Sequence, residues 1–322
     1  MKTFWNNLTT PFTALAPMED VTDFVFRELI CSIAKPNVLF TEFTSVDGLN
    51  SPKGYEYSAK KLMYSKGEHP IVAQIWGNNP AYFYKATGIV KDLGFDGVDI
   101  NTGCPDRGVI KKEAGSALIN NPKLVGEIIA AVREGAGNMA VSVKTRIGFD
   151  KVITEEWIGF LLKQKVDALT IHGRTAKQMS KVPADWEEIA KGVVLRNKIA
   201  PETVIIGNGD VKSYAEVVEK HQKYGVNGVM IGRGIFANPW VFDKSSTPQI
   251  HTPEDKVNLM LAHTKLFCEK NTKNFNVLKK FFKMYVNNFN GADILRQQLM
   301  QCNNYQEVLG VVDLNTCRIK RD

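Results

Sequence analysis

The stretch Asp99-Ile100-Asn101-Thr102-Gly103-Cys104-Pro105-Asp106 sets a thiol between a glycine and a proline, directly after the apolar, β-branched run that begins at Gly97. Pro105 has no amide proton and biases Cys104 away from helical geometry, so the thiol sits in a tight loop just past a strand end. In a barrel of alternating strands and helices, that is where catalytic groups lie. Free cysteines are also among the most buried side chains, so position alone leaves a packing role open. Lys144 poses the same question more sharply: it follows Val141 and Val143 at the end of another apolar run, where packing does not account for an ammonium group.

Eight short β-rich runs present such ends: Thr13–Met18, Val38–Phe43, Ile71–Trp76, Gly97–Gly103, Ala140–Arg146, Ala168–Gly173, Val204–Asp210 and Gly228–Gly234. Helical spacing separates them at Ala81–Leu93, Pro122–Glu134, Glu155–Lys165, Trp186–Asn197 and Tyr214–Tyr224. Strands alternating with helices predict a parallel sheet. The count and length predict a closed (β/α)8 TIM barrel, whose catalytic groups lie at the C-terminal strand ends. A doubly wound sheet would want a dinucleotide fingerprint after its first strand, and Ala16-Pro17-Met18-Glu19-Asp20 is none.

From Lys244 the character changes. Ser245-Ser246-Thr247-Pro248 and His251-Thr252-Pro253 read as a linker. Val257, Met260, Leu261 and Thr264 then give one helical face, and Val277, Phe281, Met284 and Tyr285 a second. Shorter helices fit Ala292–Cys302 and Tyr305–Leu314, so the chain divides into a barrel domain, 1–243, and an all-α helical domain, 244–322.

With 322 residues the chain can bury a core of this size. No apolar run reaches the length of a membrane span and no signal pattern opens the chain, so a cytoplasmic, membrane-free location is expected. The five cysteines (31, 104, 268, 302, 317) contain no CxxC pair, which argues for reduced thiols and against a zinc site or disulfide framework. No metal is expected, and a monomer is. The net charge of +7 is uneven: residues 244–322 hold 12 Lys/Arg against 7 Asp/Glu, residues 1–243 hold 29 against 27. A basic helical domain suggests a polyanionic partner, most simply nucleic acid, with Lys279, Lys280 and Lys283 beside Phe281, Phe282 and Tyr285 as its sharpest feature.

The strand ends, taken in order, are similar to those of the tRNA-dihydrouridine synthases. The segments are Ala16-Pro17-Met18-Glu19-Asp20-Val21-Thr22-Asp23, Thr41-Glu42-Phe43, Gln74, Asp99 to Pro105, Ala114-Gly115-Ser116-Ala117-Leu118, Val143 to Gly148, His172-Gly173-Arg174-Thr175, Asn208-Gly209-Asp210 and Gly232-Arg233-Gly234. The resemblance implies an FMN enzyme that reduces the C5=C6 bond of uracil in folded tRNA, with NADPH as reductant. It implies that Pro17 and Met18 pack against the flavin ring and that Gln74 bonds its pyrimidine edge. Lys144 would stand beside N1 and O2, where a fixed cation stabilises the anionic reduced ring. His172 would touch flavin or substrate.

Asn208, Gly209, Asp210, Gly232 and Arg233 would serve the phosphate, the glycines by close backbone approach and Arg233 by its planar fork. Asn101 and Arg174 would read the edge of a uracil turned out of its stack. Hydride would pass from flavin N5 to C6, and Cys104 would protonate C5, a thiol in an apolar setting keeping its proton at neutral pH. The chain departs from the family pattern at Arg107-Gly108, where two lysines are usual, and at Ser180-Lys181-Val182-Pro183, where tyrosine and glycine are usual. Two rival readings stay open here: a flavin reductase acting on a free small molecule, and a non-catalytic RNA-binding module.

Overall fold

A computed structural model describes residues 3–245, 250–270 and 273–319, the side chains of 316–319 excepted. The linker residues Ser246, Thr247 and Pro248 and the side chain of Cys317 lie outside the described residues. Cys31, Cys104, Cys268 and Cys302 are all free thiols. Among the described residues no helix is long and apolar enough to cross a membrane.

Strands β1 (Phe12–Leu15), β2 (Leu39–Phe40), β3 (Thr44–Ser45), β4 (Ile71–Trp76), β5 (Gly97–Thr102), β6 (Ala140–Arg146), β7 (Ala168–His172), β8 (Val204–Asn208) and β9 (Gly228–Ile231) form one sheet. Every pairing is parallel, in the order β1-β9-β8-β7-β6-β5-β4-β2, with β3 also on β4. A bridge from Ala14 to Val38 brings the two edges together, which closes the (β/α)8 barrel.

Among the strands the second is the one that breaks, and in the helical region the expected second helix is a 3-10 segment with one α turn. The sequence predicts a single run over Val38–Phe43; the structure breaks it into β2 and β3. Phe40 pairs with Val72 and Thr44 with Ile75, so four steps on one side face three on the other and one extra residue must be absorbed. Thr41 absorbs it, its Oγ1 accepting the Gln74 amide at 3.1 Å.

Alternation along the strands fixes what the barrel contains. Phe12, Ala14, Ala16, Val38, Phe40, Val72, Ala140, Ala168, Val204, Ile206 and Met230 form one buried cluster inside it. Trp5, on a short 3-10 turn (Phe4–Asn7), belongs to this cluster, its ring 6.0 Å from Phe12 and 6.3 Å from Phe40. Phe12 begins β1, so Trp5 plugs the barrel at the end opposite the strand C-termini.

Four of the intervening helices start on clear signals, while Thr154–Lys163 has the uncapped Ile153 before it. Asn79 caps Pro80–Asp92, Asn121 caps Pro122–Ala136, Asp185 caps Trp186–Ile199 and Ser213 caps Tyr214–Tyr224, each side chain accepting from amides of the first turn.

The chain separates into two compact units, residues 1–24 with 36–235, and residues 25–35 with 236–322. Within the second unit Pro253–Lys270 is followed by a 3-10 segment, Phe275–Phe281, one α turn, Phe282–Tyr285, and the helices Ala292–Leu299 and Tyr305–Ile319. Phe26, on the helix Phe24–Ala34, stacks on Phe281 at 5.1 Å, and Tyr285 Oη lies 2.9 Å from His263 Nδ1 in the same core.

Trp5 is 2 % exposed, so Trp5→Ala opens a large cavity at the barrel floor. Chemical denaturation of this variant is expected to read a loss of about 3–5 kcal/mol.

Candidate active site

Two residues beyond the apolar layer, the same interior face turns polar. Gln74 follows Val72, Ser142 and Lys144 follow Ala140, Thr170 and His172 follow Ala168, and Asn208 follows Ile206. The register pairs Gln74 with Asp99, Asn101 with Lys144, and His172 with Asn208, so these side chains stand around one mouth at the C-terminal strand ends.

Asp99 is fully buried there. Its Oδ1 accepts from Ser142 Oγ at 2.6 Å and its Oδ2 from Gln74 Nε2 at 2.7 Å. Burial pushes its pKa up to about 6, against the pull of those two donors and of Lys144. Gln74 Oε1 accepts from Asn101 Nδ2 at 2.9 Å, and Asn101 Oδ1 accepts the backbone amides of Gly103 at 3.1 Å and Cys104 at 3.0 Å. Lys144 is half-buried, and desolvation followed by the nearby Arg146 brings its pKa down to about 8.

Cys104 is half-buried on its loop. Burial raises its thiol pKa first of all; Asp106 acts on it in both directions, its amide lowering and its charge raising, while Lys144 and Arg146 lower it. Ser116 donates its amide to the Cys104 carbonyl at 3.0 Å, and Gly115, at φ +59°, packs so close that a Cβ there would lie 2.9 Å from that oxygen. A side chain at 115 would displace the thiol loop.

Arg146 ties this loop to the next. Its Nε donates to the Gly103 carbonyl at 2.7 Å, and one terminal nitrogen donates to Thr175 at 3.0 Å and Met179 at 3.1 Å. Arg174, 2 % exposed, donates to the Val182 carbonyl at 2.5 Å, to His172 Nε2 at 3.1 Å and to Asp210 Oδ2. His172 therefore carries its proton on Nδ1. Burial and then the cations Arg146, Lys144, Arg174 and Arg233 hold its pKa well below the usual imidazole value, so it is neutral.

Asn208 donates to the Met230 carbonyl at 2.8 Å. Gly209 adopts φ +135°, and a Cβ on it would fall 2.5 Å from Ala184 Cβ. Asp210 stands between two guanidinium groups, bonded to Arg174 and 3.6 Å from the largely exposed Arg233. At Gly232 neither backbone nor packing demands glycine: a Cβ would meet Ala16 Cβ at 3.5 Å and Met18 Sδ at 3.6 Å, ordinary van der Waals distances. The bare backbone at Gly232 thus lies beside Met18, the neighbour of Pro17.

The residues singled out from the sequence thus gather at one mouth, with different partners in three cases. Arg174 is engaged by protein groups rather than turned outward, Asn101 spends its carbonyl on the Cys104 loop, and Asp210 organises two arginines. Sequence reasoning passed over Asp99, Ser142 and Arg146 as site residues. The signal was there in the alternation, since they lie two positions from Asn101 and on either side of Lys144 on the same face.

The dihydrouridine synthase (Dus) family model matches residues 14–321. The chain belongs to the dihydrouridine synthase family. It is accordingly an enzyme of a flavin-dependent oxidoreductase family. A protein of Staphylococcus aureus (strain Mu50) named probable tRNA-dihydrouridine synthase is 43 % identical over 314 residues, 96 % of this chain and 94 % of its own. A protein of Bacillus subtilis (strain 168) named probable tRNA-dihydrouridine synthase 2 is 41 % identical, over 96 % of this chain and 95 % of its own. A solved structure of a variant of NCR from Zymomonas mobilis has the same fold at 17 % identity and a TM-score of 0.50, covering 74 % of this chain and 89 % of that one.

Among these family residues Asp99 makes a pH prediction. Its folded pKa of about 6 lies above the ordinary value of 3.8, so the folded state holds the proton more tightly. That contribution to stability is complete below about pH 4 and is lost as pH rises through about 6, by at most about 3 kcal/mol. Asp99→Asn removes the titration, so denaturation at a series of pH values should find the variant gaining on the wild type between pH 4 and 7.

Proposed function

We propose that the chain reduces the C5=C6 bond of uridines in folded tRNA to 5,6-dihydrouridine, with FMN as cofactor, NADPH as reductant and Cys104 as proton donor to C5. The observation that carries this reading is the half-buried thiol of Cys104, whose pKa burial raises, on a loop tied into a ring of interior polar groups that includes Lys144. The bare backbone at Gly232 beside Met18, and the cationic surroundings of His172, suit an anionic, flat cofactor. Pro17 and Met18 would pack against its ring and Gln74 and Lys144 would meet the polar edge. Asn208, Gly209, Gly232 and Arg233 would hold the phosphate, with Asp210 acting through Arg233 rather than on the phosphate itself. When bound, FMN supplies the hydride that C6 receives and is recharged by NADPH.

The chain's own residues do the rest. Asn101 keeps one Nδ2 hydrogen for a base carbonyl, and neutral His172 keeps its Nδ1 proton as a donor. As negative charge builds from C5 toward O4 of the uracil, Cys104 gives up its Sγ proton to C5. The resulting thiolate lies in the field of Lys144 and Arg146, which stabilises it more than the thiol. A uridine can reach this mouth only when turned out of its stack. The tRNA body would be held by the helical unit, where Lys279, Lys280, Lys283 and Arg296 line a cavity of about 380 Å³ with Phe282 and Met300.

Two measurements test this. Cys104→Ala should leave flavin content and NADPH oxidation intact while tRNA-dependent flavin reoxidation, followed by stopped flow, falls by about 10²–10⁴-fold; reoxidation at the wild-type rate removes the thiol from the mechanism. Neutral residues at Lys279, Lys280 and Lys283 should weaken tRNA binding and flatten the slope of log K against log salt by roughly 0.7–0.9 for each phosphate no longer neutralised. An unchanged slope would make that cluster a solvated face.

A further inference from the structure

Asp99 touches no solvent and is three hydrogen bonds away from the thiol loop, yet it bears on how that loop is held. At one end of the chain of bonds a carboxylate can only accept; at the other the amides of Gly103 and Cys104 can only donate. Between them stand Gln74 and Asn101, two side-chain amides that either way up fit the same space. Only one orientation of each satisfies every link: Gln74 Nε2 toward Asp99, Gln74 Oε1 toward Asn101 Nδ2, Asn101 Oδ1 toward Cys104. Turning Gln74 over would set its Nε2 against Asn101 Nδ2, and turning Asn101 to suit would aim Nδ2 at the Cys104 N–H.

We propose that Asp99 is a positioning residue, which through Gln74 and Asn101 fixes the loop that carries the Cys104 thiol. Ser142, donating to the other carboxylate oxygen at 2.6 Å, and Lys144 hold Asp99 itself in place. The value of this for proton delivery rests on the function proposed above; the positioning does not.

The test is the rate at which iodoacetamide alkylates Cys104 in the full chain as purified, read peptide by peptide by mass spectrometry, with Cys268 as internal reference. Asp99→Ala removes the fixed acceptor, and Cys104 should react about tenfold faster, the shift expected from losing about one hydrogen bond. Asp99→Asn can still turn its carbonyl to Gln74 and should stay within about twofold of the wild type. Gln74→Met cuts the chain of bonds while leaving residue 99 untouched and should match Asp99→Ala; it also serves if Asp99→Ala fails to fold, which a faster Cys268 would reveal. The double variant should react no faster than either single one, because the two act through one path. Unchanged Cys104 reactivity in Gln74→Met, additive effects in the double variant, or Asp99→Asn as fast as Asp99→Ala would each overturn the proposal. None of these outcomes depends on uridine reduction, so a Cys104→Ala enzyme with full turnover would sink the proposed chemistry and leave the positioning standing.

Discussion

Asp99 carries a carboxylate into an interior closed to water, and desolvation is the largest influence on it. A buried carboxylate is costly unless hydrogen bonds and a cation offset its lost hydration. Ser142, Gln74 and Lys144 do this together, and each is held by the barrel's own register to one strand on either side. The same arrangement then constrains everything above it. Gln74 can no longer turn freely, nor can Asn101, and the loop from Gly103 to Cys104 inherits a fixed place. Lower in the barrel the demand is the opposite one: Trp5, Phe12 and Phe40 close the floor with apolar bulk.

Two loops sit on this frame, and both are attached through backbone groups. Arg146 reaches the carbonyls of Gly103, Thr175 and Met179, and Arg174 reaches that of Val182. Backbone carbonyls are present whatever side chain occupies the position, so neither arginine depends on the side chains of Met179 or Val182. In the other loop, Asp106 caps the turn Arg107–Lys111 by accepting from Gly108 and Val109, a role indifferent to charge at 107.

Much of this was legible in the sequence because one rule governs both core and site. A period of two places Val72 and Gln74, Ala140 and Lys144, Ala168 and His172, Ile206 and Asn208 on shared faces, so recognising the strands located the ring. What stayed hidden depended on side chains meeting across strands or loops. Nothing in the spacing says that Arg174 turns inward to Val182, His172 and Asp210, or that Asp210 would be spent on arginines. The split of the second strand was hidden for a different reason: one surplus residue, relieved by a threonine hydroxyl standing in for a backbone acceptor, leaves no compositional trace. The packing of the helix Phe24–Ala34 with the helical unit likewise rests on Phe26 meeting Phe281, a contact between segments far apart in the chain.

The electrostatics of the mouth follow from where those arginines are anchored. Lys144, Arg146, Arg174 and Arg233 surround His172 and, with its burial, keep it neutral, so the imidazole there is a hydrogen-bond partner and no proton reservoir. At Cys104 two of the same cations favour the thiolate, and burial outweighs them. The thiol therefore enters the proposed reaction protonated, while the groups that would stabilise it after proton loss are already in position and need no rearrangement. Stabilisation that grows as charge moves onto sulfur favours the transition state over the ground state, which is the condition a proton donor has to meet.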